Sequence, residues 1–324
     1  MIIGSTPVTL VKAGGGALYS NNGFWHSGDT YILGGTLFFP AGTTMRGGDY
    51  SGKIVLGTGA SFQYHSAANQ ILRGVISGAG TLTKANEVGA TLTLYGTNTY
   101  TGTTAVSVGT LIINGSGVSP LVVTGGKMVL NGTSTGNASV NAATFQVNGV
   151  LNGTVGVTNS VVTVGAAGVL NGSLEAGANC AVTLSNLVSG SVSVLGTNFV
   201  MNGIVGGSLT IASNVVMQAN GQVTNNTTMS FAKYTATIKD DLGGCTRLQT
   251  FGTLTLTGAT LTLSDPGANL VKSGQVPYVL MKYGSRVGEF ASVTSDRNTK
   301  ITYDDVAGEV RIQYHPRGTM VRIF

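Results

Sequence analysis

The chain has 324 residues, with 50 glycines, only 6 prolines and a charged fraction of 9%, well below the usual ~25%. Hydrophobic residues make up 42% and mean hydropathy is +0.27, so a core can be buried and a disordered chain is excluded; the irregular glycine spacing excludes collagen. The net charge of +5 is dispersed, without the Lys/Arg cluster that tracks a phosphate backbone, which argues against nucleic acid as a partner.

At the N-terminus, "MIIGSTPVTLVKAGGG" lacks the basic start and unbroken apolar run of a signal peptide, and no apolar stretch in the chain approaches the ~20 residues of a membrane-spanning helix. Self-similarity follows. Leu10 to Leu37 aligns with Leu82 to Leu111 with one two-residue length change: Lys12 matches Lys84, Gly28 matches Gly102, and both copies close on Gly-Thr-Leu. In the middle, "VLNGT" at Val129 and Val150 and "VLNGS" at Val169 recur at a period near ~20 residues, the size of one solenoid coil. Over the whole chain that period predicts about sixteen coils.

Each coil is expected to lay down two or three short strands whose alternate residues enter a narrow core, with Asn-Gly supplying a positive-φ turn between them. "TLTLYG" and "TLTLTG" alternate strictly, and no helical periodicity competes. A single coil cannot bury its apolar face, so the fold class is all-β, a parallel β-solenoid stabilised by stacking. Residues 1–232 read as repetitive rungs, with Asn-Gly rungs over 116–232. Residues 233–324 read as final rungs with a β cap, because normal charge density and the densest aromatic content return there, including Tyr278, Phe290, Tyr303 and Tyr314. Cys180 and Cys245, 65 residues apart, are read as small core residues too far apart to bridge. With only His26, His65 and His315 available, no zinc motif can be written, and neither metal nor cofactor is expected.

The stretch Ile71 to Gly115 resembles the passenger-associated transport repeat of bacterial autotransporters, with Gly78, Gly80, Leu82, Lys84, Leu92, Leu94, Asn98, Tyr100, Gly102, Gly109 and Leu111 at the motif positions. The copy at 10–37 is divergent, with Phe24-Trp25-His26 standing where the second copy has Asn98-Thr99-Tyr100. Phe251 to Tyr314 resembles the closing region of such passengers. The resemblance implies a right-handed parallel β-helix, extracellular or on the bacterial cell surface. It departs from the family in that only ten residues follow Tyr314, so the membrane barrel would have to lie elsewhere or another export route be used.

An enzyme on this scaffold would need two or three carboxylates on one face. Between Asn86 and Ser230 only Glu87 and Glu175 are acidic and only Lys127 is basic. His26, Asp29, Asp49 and His65 read as structural or surface groups, and Asp304-Asp305 and Asp240-Asp241, each shortly before Gly, as turns. No catalytic residue is therefore assigned and no enzymatic activity expected. The expected function is a surface adhesin or structural scaffold, with host surface, glycan or matrix as partner. The alternatives are a filament or sheath subunit, since neither "MIIGSTPVTLV" nor the final "GTMVRIF" supplies a polar cap against end-to-end self-association, and a carbohydrate-active β-helix enzyme. Threonine-rich "TNTYTGTT" and "TLTL" segments suggest an ice- or crystal-binding face, but the pattern lapses between Ala143 and Thr210.

Overall fold

The computed structural model describes residues 7–85, 89–196, 198–212, 215–238, 247–268 and 277–314. Their regular structure is β-strand apart from one 3-10 turn at Arg46–Gly48, and the strands stack in parallel as a β-solenoid of about 12 turns in all. Two compact units divide the chain, Met1–Glu175 and Ala176–Phe324.

In the first unit a turn contributes up to three short strands. One sheet runs Leu10–Lys12, Thr30–Ile32, Ile54–Leu56, Ile76–Gly78. A second begins at Ala17–Tyr19 and passes through Thr36–Phe39, Ser61–Tyr64, Thr81–Lys84 and Thr104–Val106 to Val155–Thr158. The third starts at Asp49–Tyr50 and continues through Gln70–Leu72, Thr91–Leu94 and Thr110–Ile113 to Val161–Val164. Alternation does what it predicts: Leu92 and Leu94 are buried while Thr91 and Thr93 are half-exposed. Inside the first turns the core is aromatic, with the rings of Phe24, Phe39, Phe62 and Tyr64 at centroid separations of 5.0 to 5.5 Å. Aliphatic side chains such as Leu111, Val123, Leu130 and Val147 replace them further along. Each contributes roughly 1.5–3 kcal/mol by burial, an upper figure because denatured chains are partly collapsed.

The first sheet ends at Gly78, and a fourth begins at Ser116–Gly117. The segment from Thr97 to Thr101 joins them. Thr99 and Thr101 donate backbone hydrogen bonds to Ile76 and Gly78, while Thr97 bridges to Ser116 and the Asn98 N–H donates to the Ser116 carbonyl.

In the second unit the three sheets run from Val192–Val194 to Ser285–Gly288, from Ala181–Leu184 to Ser292–Ser295, and from Leu187–Val188 to Tyr278–Lys282. Parallel stacking then stops. Glu309–Tyr314 pairs antiparallel with Tyr278–Lys282 and with Thr299–Asp304, so a hairpin follows the last parallel rungs. Asp304 and Asp305 stand at its turn, as their spacing before Gly308 implies.

Three expectations are corrected. The coil count is about 12, not sixteen, because the coil is not uniform: stacked partners are 24 residues apart near Asp29, 17 in the Asn-Gly rungs, and 27 then 32 towards the end. The three "VLNG" segments are not one position of the coil. Val150-Leu151 stacks on Val169-Leu170 in the fourth sheet, but Val129-Leu130 lies in the third, paired with Gln146-Val147. The interval from Val129 to Val150 is thus one coil plus a step to the next face.

The Asn-Gly glycines are the third correction, because Gly115, Gly132, Gly149, Gly153 and Gly172 are not positive-φ residues. Each faces the carbonyl of the coil below. A Cβ on Gly132 would overlap the Gly115 oxygen and stand 2.6 Å from the Asn114 oxygen; one on Gly153 would lie 2.6 Å from the Gly136 carbonyl carbon. Gly28, Gly52, Gly74, Gly96, Gly115, Gly132 and Gly149 form one such column, each but the first packed on the glycine before it. The preceding asparagines form ladders. Asn131 donates through Nδ2 to Asn114 Oδ1 at 2.8 Å, Asn148 to Asn131 at 2.9 Å, and Asn171 to Asn152 at 2.8 Å.

Candidate binding surface

Most of the residues singled out between Gly78 and Leu111 lie inside the solenoid, whereas Gly78 is exposed. Leu82, Leu92, Leu94 and Leu111 are core. Gly78 and Gly109 carry positive φ, 101° and 77°, and a Cβ on Gly102 would stand 2.6 Å from the carbonyl carbon of Gly80. Lys84 is fully buried, its ammonium 5.8 Å from the Tyr64 ring centroid and 3.3 Å from the Ala85 carbonyl. Its counterpart Lys12 donates to the carbonyls of Ala13, Gly14 and Gly34 at 2.7 to 2.9 Å. Asn98 Oδ1 accepts from the Ile76 N–H at 2.9 Å. Tyr100 is buried, its hydroxyl bonded to Thr104 Oγ1, which meets Ser119 Oγ at 2.6 Å; burial pushes this phenol up.

The divergent first copy reproduces that contact with different chemistry. His26 stands in the place of Tyr100 and Thr30 in that of Thr104, with Nε2 and Oγ1 2.6 Å apart. Tyr50 donates to the Gly28 carbonyl, so Thr30 donates to Tyr50 at 2.8 Å and His26 must donate to Thr30 from a protonated Nε2. A donor at that nitrogen cannot act as a base toward Thr30. Burial, and then the charge of Arg46, lower the His26 pKa.

The other acids and histidine singled out by sequence do not converge with His26. Asp29 accepts from the Lys53 N–H at 2.9 Å, Asp49 holds Arg73, and His65 packs on Phe38 with centroids 4.7 Å apart. Among the described residues no group of three or more His, Cys, Asp or Glu side chains is placed to hold a metal ion. Cys180 is a buried free thiol. Cys245, His315, Glu87, Asp240-Asp241 and most of both terminal segments lie outside the described residues.

What the first unit does present to solvent is a strip of aromatic and charged groups on four successive coils. Phe24 bridges to Met45, Asp49 pairs with Ile71, and Ile71 with Thr93, which fixes the order of the coils. On the first coil Trp25 is 67% exposed, yet its indole Nε1 donates to the Asn22 carbonyl at 2.9 Å. On the second, Arg46, Gly47 and Gly48 all take positive φ, and a Cβ on Gly47 would lie 3.7 Å from the Trp25 ring. The indole therefore rests over glycine backbone. For Arg46 the left-handed conformation, φ 51°, costs about 1 kcal/mol or more. On the third coil Arg73 makes two 2.8 Å hydrogen bonds to Asp49, which hold that carboxyl below its usual range. On the fourth, the exposed Tyr95 ring lies 5.3 Å from the Arg73 guanidinium.

No protein-family model and no curated protein matches this chain.

The sequence flagged Trp25 only through its place in the repeat, and passed over Arg46, Arg73 and Tyr95. The available signal was Arg46-Gly47-Gly48-Asp49, a turn-forming interruption about one coil after the chain's sole tryptophan. What pairs Arg73 with Asp49, 24 residues away, is coil length.

Proposed function

We propose that this protein is a non-enzymatic extracellular or cell-surface β-solenoid that acts as an adhesin on a structural scaffold, in the manner of the autotransporter passengers it resembles. The observation that carries the reading is the contrast between the strip and the rungs around it. In the Asn-Gly rungs, polar side chains bond to one another from coil to coil, as in the asparagine ladders, and leave little for a ligand. Trp25, Arg73 and Tyr95 are exposed and held outward by specific contacts, and the exposed Arg46 lies beside Trp25 on the next coil. Exposed aromatic and arginine side chains are the groups that dominate binding energy at interfaces.

The test is binding of the purified chain to cells, matrix preparations and glycan arrays, with light scattering in parallel. Saturable binding by a monodisperse sample is expected. Growing polymers without binding would make the protein a sheath or filament subunit, and product release from a polysaccharide panel would make it a carbohydrate-active enzyme.

A further inference from the structure

Resting on the adhesin reading, we propose that the strip from Trp25 to Tyr95 is a binding site for an oligosaccharide bearing carboxylate groups, a uronate-containing glycan, with Trp25 as the stacking platform and Arg46 as the carboxylate ligand.

Pyranose rings offer an apolar C–H face and a polar rim. The surface they need is a flat, exposed ring with fixed polar groups at the same level. Trp25 supplies the ring, and its orientation is set by the indole hydrogen bond to Asn22 and by the glycine backbone beneath it. Substituting Gly47 would raise a side chain against that ring. The residue beside it, Arg46, is exposed, and among the described residues its guanidinium has no ion pair or hydrogen bond. A free guanidinium fork matches a carboxylate bidentately. Asp49 is already paired with Arg73, which leaves Arg46 as the arginine of the strip whose charge is open. Tyr95, stacked against Arg73, supplies a second ring face. Along the stacking direction, first to fourth coil is three inter-strand spacings, roughly 14 Å, and Arg73 and Tyr95 are also displaced along the strands from Trp25 and Arg46, so an oligosaccharide of several residues is needed to reach both rings.

The backbone at Arg46 fixes the choice of variant. A turn in left-handed geometry favours glycine, and positions 47 and 48 have it, whereas position 46 carries an arginine at φ 51°, so glycine can replace it without strain. Single-stranded nucleic acid also combines ring stacking with negative charge, but a phosphate backbone needs several open cations in line, and of the two arginines of the strip Arg73 is already paired with Asp49.

Trp25 is the only tryptophan, so indole fluorescence reports on this site alone. The experiment titrates the full chain with uronate-bearing oligosaccharides and with the same oligosaccharides after carboxyl reduction. Binding should change Trp25 emission and shield it from iodide quenching, and carboxyl reduction should weaken affinity tenfold or more. Two variants follow by calorimetry: Trp25→Ala, and Arg46→Gly, which removes the charge at a position where glycine relaxes the backbone. Arg46→Gly should also lose tenfold or more in affinity with an unchanged or raised Tm, so that misfolding cannot account for the loss. Unaltered affinity in Arg46→Gly, equal binding of the reduced glycans, or no emission change with any acidic glycan would overturn the assignment. So would equally Arg46-dependent binding of anionic phospholipid vesicles or of oligothymidylate. If both variants keep the wild-type binding to cells, the adhesin reading stands and this site falls; if the wild type binds no cell, matrix or glycan, the reading itself falls.

Discussion

Replacing Gly132 by alanine tests why glycine recurs in the rungs. The added carbon would overlap the Gly115 carbonyl oxygen and lie 2.6 Å from the Asn114 oxygen and 2.8 Å from the Gly115 carbonyl carbon. All three are backbone atoms, so no side chain can swing aside. Relief requires the two coils to part locally. The bonds at risk are Thr133 N–H to Gly115 O at 3.1 Å and Gly132 N–H to Ile113 O at 3.0 Å. Losing one or two of them costs about 1 kcal/mol each, and overpacking adds roughly 1–3 kcal/mol. The stiffer unfolded chain offsets about 0.4–1 kcal/mol, leaving a net destabilisation of about 1–4.5 kcal/mol. Gly156 is the control: it lies in the strand Val155–Thr158 of the same unit, has ordinary φ, and a Cβ there meets nothing within 4 Å. Gly156→Ala should stabilise by roughly 0.4–1 kcal/mol. Urea denaturation of both variants, followed by β-sheet circular dichroism, is the assay. If the two midpoints agree with each other, the steric account of the glycine column is wrong. A positive-φ account fails already, because Gly132 has none.

Tyr100→Phe should cost about 1 kcal/mol, since Thr104 keeps its bond to Ser119, whereas Tyr100→Ala should cost roughly 3–5 kcal/mol; similar losses in denaturation would mean that the hydroxyl, not the ring, holds the junction between sheets. Tyr50 is pushed up to about 12, chiefly by burial, so its neutral form is favoured by folding: stability should be intact below pH 10 and decline as pH rises towards about 12, and phenolate absorbance matching free tyrosine in the folded protein would contradict this. In the C-terminal hairpin, Arg286 lowers Asp305 and Arg311 lowers Glu309, so their contribution is present above the ordinary carboxylate range and fades as pH falls through about 4 and below. Hydrogen exchange corrected for intrinsic rates should show Thr299–Tyr314 losing protection in acid before the rungs do, and equal retention in both would refute the electrostatic latch. The Cys180 thiol should resist alkylation until the protein unfolds; labelling of its peptide under native conditions would show that the solenoid interior is open there.

Composition and alternation by themselves determined that this chain is all-β and stacks in parallel, because a period-2 pattern fixes which side chains enter the core before any partner strand is known. The hairpin at Asp304-Asp305 was equally legible, since turn chemistry is local. The phase of the coil was not. "VLNG" at Val129 and at Val150 are the same words on different faces, and only the stacking of Val150 on Val169 shows which of them share a column. Nor was the reason for the glycines, since a residue chosen to let a neighbouring backbone approach looks, in sequence, like one chosen for its dihedral freedom. His26 and Tyr100 are chemically unlike, yet both reach a threonine four residues on, an equivalence set by the coil rather than by residue type. The strip from Trp25 to Tyr95 depended on tertiary structure most of all. Trp25 and Arg46 are 21 residues apart in sequence, and Arg73 and Tyr95 are 22 apart, yet each pair lies side by side on adjacent coils, so coil length, which varies from 17 to 32 residues, decides whether they meet.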